Sequence, residues 1–411
     1  MRVRSLKILF YNHTGQVSGA ERVLQMILNG LDRGRYQCVV ACPESSKLFE
    51  LMNAAGERTR GLRLLEARFT WRPDRLLRYL LSFLQVIRDA RTVVTEEAPD
   101  AIHANSIRAG IVMAAATIGL RVPVIWHGHD VLPRHPLSTV VRLFALMSAR
   151  NRILAVSQAV VTGFRGALLK PFSRRVPIRV VHNAVDLEKF KPNSKTRVTA
   201  RAALGLTDSQ SVIGMVGQLT SRKGQLELIE SFARVAREIP DAVLLIVGEP
   251  LFNRDEEYAA ELRRTAASLG IDDRVRFLGG RSDVPQLMQA MDVLVVNSHE
   301  EPFALTVLEG LASGVAVVAT AVGGTPEMIT NRENGCLVPA RDNEALAESL
   351  ITLLHEPELR GSLGHNARQV AKARFSTDRF LKEVDAFYMQ LPHQSTPRLT
   401  PQLLDEKLAT D

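Results

Sequence analysis

The chain is expected to fold as an α/β protein with two Rossmann-like domains facing a cleft. Three observations predict this. Short apolar, β-branched runs alternate with helix-period patterns from end to end, as in parallel sheets covered on both faces. A polar break, Lys191–Thr199, divides the runs into two series, each opening with strand, glycine-containing loop and helix. The length of 411 residues supports two cores of ordinary size.

In the first series, strands are expected at Leu6–Tyr11, Cys38–Cys42, Ala101–Ala104, Val122–Trp126, Arg152–Val156 and Arg179–His182. In the second they are expected at Val212–Val216, Val243–Val247, Val275–Leu278, Val293–Val296, Val315–Ala319 and Leu337–Val338. Each is apolar, bounded by turn residues and too short for a helix. Helical patterns follow at Pro357–Arg374 and Thr377–Met389. From Pro392 onward, three prolines and no apolar periodicity predict a disordered tail. The resulting division is 1–190, 200–375, a closing helix at 376–390 and a tail at 391–411, with the linker at the polar break.

Composition narrows the function classes. Hydrophobic residues make up 46% of the chain and its mean hydropathy is +0.00, values of a soluble globular protein. The longest apolar runs are strand-sized, far below the ~20 residues of a spanning helix. The first strand is expected near Leu6, with no secretory h-region before it. Cys38, Cys42 and Cys336 have no metal-ligand spacing and cannot form a disulfide framework, so a reducing cytoplasm is expected. The net charge of +8 conceals an asymmetry: residues 1–195 hold 30 Lys/Arg against 14 Asp/Glu, and residues 196–411 hold 22 against 30. Either an anionic partner meets the first half, or the halves attract each other across the cleft. Nucleic acid is disfavoured as that partner, since no aromatic-interleaved basic motif or zinc spacing occurs.

Four segments carry chemistry. Val293–Ile329 reads strand, helix, strand and the turn Gly323-Gly324, with Glu301 and Glu309 eight residues apart. That device aims amide N–H groups and a helix N-terminus at a phosphate, while carboxylates accept from sugar hydroxyls. Glu300 is a competing register for the first carboxylate; the spacing to Glu309 favours Glu301. Ser221-Arg222-Lys223-Gly224 follows a strand and precedes an apolar-periodic helix, placing cations where a diphosphate would sit. Thr14–Glu21, with Gly15 and Gly19, follows the first strand. Trp126-His127-Gly128-His129-Asp130 ends another strand on the same edge.

Together these segments resemble the retaining glycosyltransferases of family 4, which have the GT-B fold and use nucleotide diphosphate sugars; the resemblance runs over roughly Leu6 to Tyr388. Glu301-Pro302-Phe303-Ala304-Leu305-Thr306-Val307-Leu308-Glu309 matches the family's Glu-x-Phe-Gly-x4-Glu, with Ala304 in place of glycine. The resemblance implies that Glu301 contacts hydroxyls of the transferred sugar, that amides around Phe303, Ala304, Leu305 and Thr306 hold the diphosphate, and that Glu309 accepts both ribose hydroxyls. Lys223 matches the phosphate-binding lysine. Gln218 stands where the family has an arginine, and Arg222 is the candidate to supply the missing charge. Gly280–Val284 resembles the loop that reads the base through its backbone. Gly19 would approach the diphosphate from the first domain, with Glu21 orienting its loop. His127 is the better match to the family's histidine beside the reacting sugar, ahead of His129 and Asp130. Asn183 and Asp186 match the family's signpost before the linker and read as hinge structure. The last helix is implied to cross back to the first domain.

The implied activity is transfer, with retention, of a sugar from a nucleotide diphosphate donor to a hydroxyl of a glycan or lipid-linked acceptor. No Asp-x-Asp motif or His/Cys/carboxylate cluster occurs, so no metal or cofactor is expected. A GT-B epimerase and a non-catalytic nucleotide-sugar binder fit the same residues. Arg58, Arg60, Arg63, Arg68, Arg72, Arg75, Arg78, Arg88 and Arg91 surround an apolar-rich helix, Leu76–Ile87. They suggest peripheral attachment to an anionic membrane surface.

Overall fold

The computed structural model describes residues 5–65, 73–133, 135–166, 176–251 and 253–391. Two parallel sheets organise them. The first contains β1 (Leu6–Tyr11), β2 (Tyr36–Pro43), β3 (Arg58–Leu62), β4 (Ala101–Ala104), β5 (Val124–Gly128), β6 (Arg152–Ala155) and β7 (Ile178–Val180), in spatial order β3-β2-β1-β4-β5-β6-β7. Its crossover helices are α1 (Gly19–Gly30), α2 (Lys47–Ala54), α3 (Pro73–Glu97), α4 (Ile107–Ala116), α5 (Pro136–Leu146) and α6 (Gln158–Arg165). The order reverses between β1 and β4, the point at which doubly wound sheets open a ligand crevice. Strands β1, β4 and β5 are almost wholly buried, which is why they read as continuous apolar runs without alternation.

A second sheet repeats the plan with β8 (Ser211–Val216), β9 (Ala242–Val247), β10 (Val275–Gly279), β11 (Val293–Val296), β12 (Ala316–Thr320) and β13 (Cys336–Val338), ordered β10-β9-β8-β11-β12-β13. Its helices are α7 (Ser194–Ala203), α8 (Gln225–Glu238), α9 (Asn253–Ser268), α10 (Val284–Ala290), α11 (Leu305–Ser313), α12 (Asn343–His355) and α13 (Pro357–Arg374). A last helix, α14 (Thr377–Tyr388), returns to the first domain. There Leu381 fills the space beside Gly30 of α1, and Asp385 accepts from the Tyr36 hydroxyl at 2.6 Å and pairs with Arg35 at 3.0 Å.

Three sequence expectations need correction. β3 was not foreseen: its sequence, Arg-Thr-Arg-Gly-Leu, is that of a charged edge strand, so it lacks the apolar signature. The polar break, where the linker is expected, also holds the start of a helix the sequence reading did not name: the Asn193 side chain accepts from the Thr196 amide and starts α7 at Ser194. β7 ends at Val180 rather than His182, as the chain turns away to bond Val185 N to Phe375 O at 2.9 Å. The tail expected from 392 lies outside the described residues.

Candidate functional site

Lys223 and Glu301, far apart in sequence, meet at 2.5 Å between Nζ and Oε2. Local backbone chemistry brings them together. Ser221–Lys223 form one 3₁₀ turn that stops at Gly224, whose φ of +71° no side chain adopts readily. A Cβ on Gly224 would lie 2.1 Å from the Asn297 carbonyl oxygen. The Asn297 side chain donates to Gly224 O at 2.9 Å, and His299 N donates to Arg222 O at 2.9 Å, so the cationic loop is stitched to the exit of β11. Gly323 adopts φ +54° with its Cβ direction blocked by Glu301 O, and Gly324 N donates to that same oxygen at 2.9 Å. The double-glycine turn therefore holds the main chain of Glu301. Ser298 Oγ lies 3.2 Å from the Glu301 carboxylate, which is 7% exposed; Glu300 points to solvent.

Ala304 is the N-cap of α11 at φ −69°, ψ 114°, ordinary extended backbone, so an alanine replaces the family's glycine here without strain. The first-turn amides of α11, from Leu305 onward, have no partner within the helix. Across the cleft, the direction a Cβ would take on Gly19 ends 3.6 Å from Leu305 Cδ1. Thr306 Oγ1 lies 3.4 Å from Val216 O. The Phe303 ring turns away from the amides and stacks on His182, with centroids 4.9 Å apart and planes at 10°. Glu309 lines a cavity of about 520 Å³ together with Arg22, Lys189, Leu305, Arg281, Ser282, Val284 and Pro285, within the range of small-molecule pockets. Burial pushes its carboxyl up, opposed by Arg22, 3.5 Å away, and by Lys189. The cavity thus joins Glu309 to the loop that resembles a base reader.

Gln218 is engaged elsewhere, its amide donating to Asp255 at 2.9 Å. The Arg222 side chain lines a second cavity, of about 480 Å³, with His299, Glu300 and Arg341. Asp130, reaching in from the first domain, has its carboxyl pushed up by burial; Arg222 and Arg108 oppose that, and Glu21 and Glu301 reinforce it. Charged groups from both domains therefore converge at one place. Among the described residues, no group of three His, Cys, Asp or Glu could hold a metal ion.

His127, expected beside the reacting sugar, lies in the interior rather than on the open face of the cleft. It is fully buried, with Nδ1 3.0 Å from His103 Nε2; His103 Nδ1 in turn lies 2.7 Å from the Tyr388 hydroxyl on α14. Burial pushes both imidazoles down, His103 to about 3. These three side chains form an interior tie between the closing helix and the first sheet. The histidine with access to the cleft is His129, two residues on and half-buried, its Nε2 3.3 Å from Asn105 Oδ1. Glu21, by contrast, does orient its loop: it accepts from Ser18 N at 2.9 Å, from Ser18 Oγ at 2.6 Å and from Asn12 Nδ2 at 3.1 Å. Sequence reasoning missed Asn12 and Asn105. The signal was there, since each is the first polar residue beyond the carboxyl end of β1 or β4, at the switch point.

Asn183 is buried beside the crossover, and the Asp186 side chain accepts from Glu188 N and Lys189 N at 2.9 Å each, forming a local turn. Glu327 bonds the Gln158 amide at 2.8 Å and His182 at 3.0 Å, tying the second domain to α6 and the exit of β7.

Comparison with known proteins places this geometry. The family Glycosyl transferases group 1 matches residues 197–370, and Glycosyltransferase Family 4 matches residues 17–189. A D-inositol 3-phosphate glycosyltransferase of Saccharomonospora viridis is 38% identical over 205 residues, 48% of this chain and 47% of that protein. The matched region thus spans about half the length of that relative. The N-acetyl-alpha-D-glucosaminyl L-malate synthase of Bacillus anthracis is 28% identical over 281 residues, 67% of this chain and 70% of that one. The crystal structure of Anabaena Alr3699/HepE in complex with UDP-glucose superposes with a TM-score of 0.81 at 26% identity, covering 94% of this chain and 100% of the other. With both halves matched and two Rossmann-like domains enclosing the cleft, the chain belongs to the group 1, family 4 glycosyltransferases of GT-B fold.

Proposed function

We propose that this protein transfers a sugar, with retention and without a metal, from a nucleotide diphosphate donor to a hydroxyl of a glycan or lipid-linked acceptor. The observation that carries this reading is the Lys223–Glu301 pair beside the N-terminus of α11, with Glu309 in the adjoining cavity. In the reaction, the bond between the anomeric carbon and the diphosphate oxygen breaks, and its electrons stay on the phosphate. Lys223, Arg222 and the first-turn amides of α11 stabilise that charge as it develops. Glu301 accepts from the sugar hydroxyls and Glu309 from the ribose. In the front-face route usual for the family, the acceptor oxygen bonds the anomeric carbon from the face the diphosphate leaves and its proton passes to the departing phosphate oxygen; a carboxylate nucleophile on the opposite face is the alternative route to retention. His129, not His127, stands beside the reacting sugar. The UDP-glucose bound by the Anabaena relative supports a nucleotide-sugar donor.

Thermal shift with UDP- and GDP-sugars, with and without EDTA, followed by transfer of a labelled sugar to an acceptor panel, tests this. Stabilisation is expected to be equal with and without chelator. Loss of binding in EDTA contradicts the metal-free reaction. Isomerised or released sugar without an acceptor selects an epimerase, and binding without turnover selects a sugar-nucleotide binder.

Attachment to the inner face of an anionic bilayer belongs to the same reading. No helix among the described residues is long and apolar enough to cross a membrane. On α3, however, Leu77, Leu80, Leu81 and Leu84 are each more than half exposed at helical spacing, and Arg88 continues the stripe. Val140 and Leu143 of α5, with Met147 just beyond it, are about half exposed. Several arginines of the basic segment are already engaged: Arg58 and Arg60 with Glu97, Arg63 with Asp89, and Arg91 with the Ala116 and Ile118 carbonyls. The side chains of Arg68, Arg72 and Arg75 lie outside the described residues. Apolar insertion therefore carries more of this attachment than charge does. Co-sedimentation with anionic liposomes is expected to survive moderate salt and to fall with Leu80→Ser/Leu84→Ser. Equal recovery in supernatants with and without liposomes removes the membrane from the reading.

A further inference from the structure

We propose that Asn105, braced by Asn12, is a positioning residue that holds His129 in the Nε2–H tautomer and couples its ring to the glycine loop of the first domain. The consequence for catalysis rests on the transfer reading above; the tautomer assignment does not. Asn105 is fully buried just beyond β4, and its backbone N donates to Tyr11 O at 2.9 Å. Its amide nitrogen faces two oxygens, Asn12 Oδ1 at 3.0 Å and Ala20 O at 3.2 Å. Asn12 is itself fixed the same way round, because its nitrogen donates to Thr14 O at 2.6 Å and to Glu21 Oε1 at 3.1 Å. Turning the Asn105 amide over would set an oxygen against two oxygens in a buried site. Its Oδ1 must therefore face His129 Nε2, and since Oδ1 only accepts, Nε2 carries the proton. Nδ1 keeps the lone pair.

The chain of contacts runs from Glu21 through Asn12 and Asn105 to His129. Glu21 caps α1, whose first residue, Gly19, meets Leu305 of the donor-side helix. A shift of the glycine loop against a donor is thereby transmitted to the ring on the acceptor side through amides whose orientations are each over-determined. Burial also keeps this imidazole neutral, pushing it down to about 3, so the tautomer is the remaining variable. His127, whose ring lies 3.9 Å from that of His129 between centroids, makes its hydrogen bond to His103 and gives His129 none.

The test is ¹⁵N-histidine NMR of the full-length protein near neutral pH without ligands, with the His129 resonances assigned by their loss in His129→Gln. The wild-type spectrum is expected to show a neutral ring protonated at Nε2; protonation at Nδ1 overturns the proposal outright. Asn105→Ala should yield a mixture of tautomers and lower kcat by roughly 10–100-fold, as losing an orienting partner does, with donor KM within about threefold. Asn105→Asp, kept neutral by burial so that its O–H donates to Asn12 Oδ1 while the other oxygen accepts from Nε2, should restore the single tautomer. If both variants keep wild-type kcat while His129→Gln loses it, positioning by Asn105 is refuted. If wild type binds no nucleotide sugar at all, the transferase reading fails while the tautomer result stands.

Discussion

The two walls of the cleft solve different problems with different chemistry. On the second-domain wall, Lys223, Arg222, Glu301 and Glu309 supply charge, and backbone turns at Gly224 and Gly323-Gly324 hold them. On the first-domain wall, the groups around His129 are mostly uncharged, two asparagines, a buried imidazole pair and a tyrosine, oriented by hydrogen bonds that lead back to the buried Glu21 carboxylate. A leaving diphosphate demands charge stabilisation, which short motifs beside helix N-termini provide. An acceptor demands orientation, which needs groups from several strands locked against one another. The difference teaches that charge is local in this fold whereas orientation is collective.

Breaking the charged wall should have the largest effect. Lys223→Ala is expected to lower kcat and kcat/KM together by ~2–4 kcal/mol in activation energy, measured as initial rates at saturating and limiting donor. Wild-type turnover would remove Lys223 from the chemistry and leave its pairing with Glu301 structural.

The two histidines sharpen the contrast on the other wall. His129→Ala should reduce kcat roughly 100-fold with little change in Tm. His127→Ala should instead destabilise the fold by ~1–3 kcal/mol, because the buried His103 loses its partner. Denaturant titration beside steady-state rates separates them, and the reverse pattern would reinstate His127 at the reacting sugar.

A smaller effect is expected at Glu309. Glu309→Gln keeps the shape but weakens acceptance from the ribose, so donor KM should rise about tenfold with kcat nearly unchanged. An equal fall in kcat would mean that Glu309 acts in the transition state. Smallest of all is Ala304→Gly. The φ of −69° there suits any residue, so the usual glycine should bring no gain in rate and cost about 0.5–1 kcal/mol of stability. A faster enzyme would show that this loop moves during turnover.

Much of the donor wall was legible because its parts are neighbours in sequence. The eight-residue spacing of Glu301 and Glu309, the Ser-Arg-Lys-Gly loop and the double glycine each lie within one strand–turn–helix passage, where local geometry dictates placement. On the acceptor wall the sequence did not separate the surroundings of His127 from those of His129. In Trp126-His127-Gly128-His129 one histidine lies in β5 and the other just past its end, and only the packing of β5 against β4 and α14 buries the first fully and leaves the second partly exposed. Edge strand β3 escaped notice because edges are marked by charge, not by apolar pattern.

By itself the sequence determined the fold class and marked the segments from which the donor-side residues are drawn, since hydrophobic periodicity and turn residues act over a few positions. The tertiary structure alone decided that Lys223 meets Glu301, that Gln218 is spent on Asp255, that four arginines of the basic segment are engaged within the fold, and that Asn12 and Asn105 orient His129. Each of these joins groups from separate elements. Such contacts are set by how sheets and helices close on one another, and no local pattern records them.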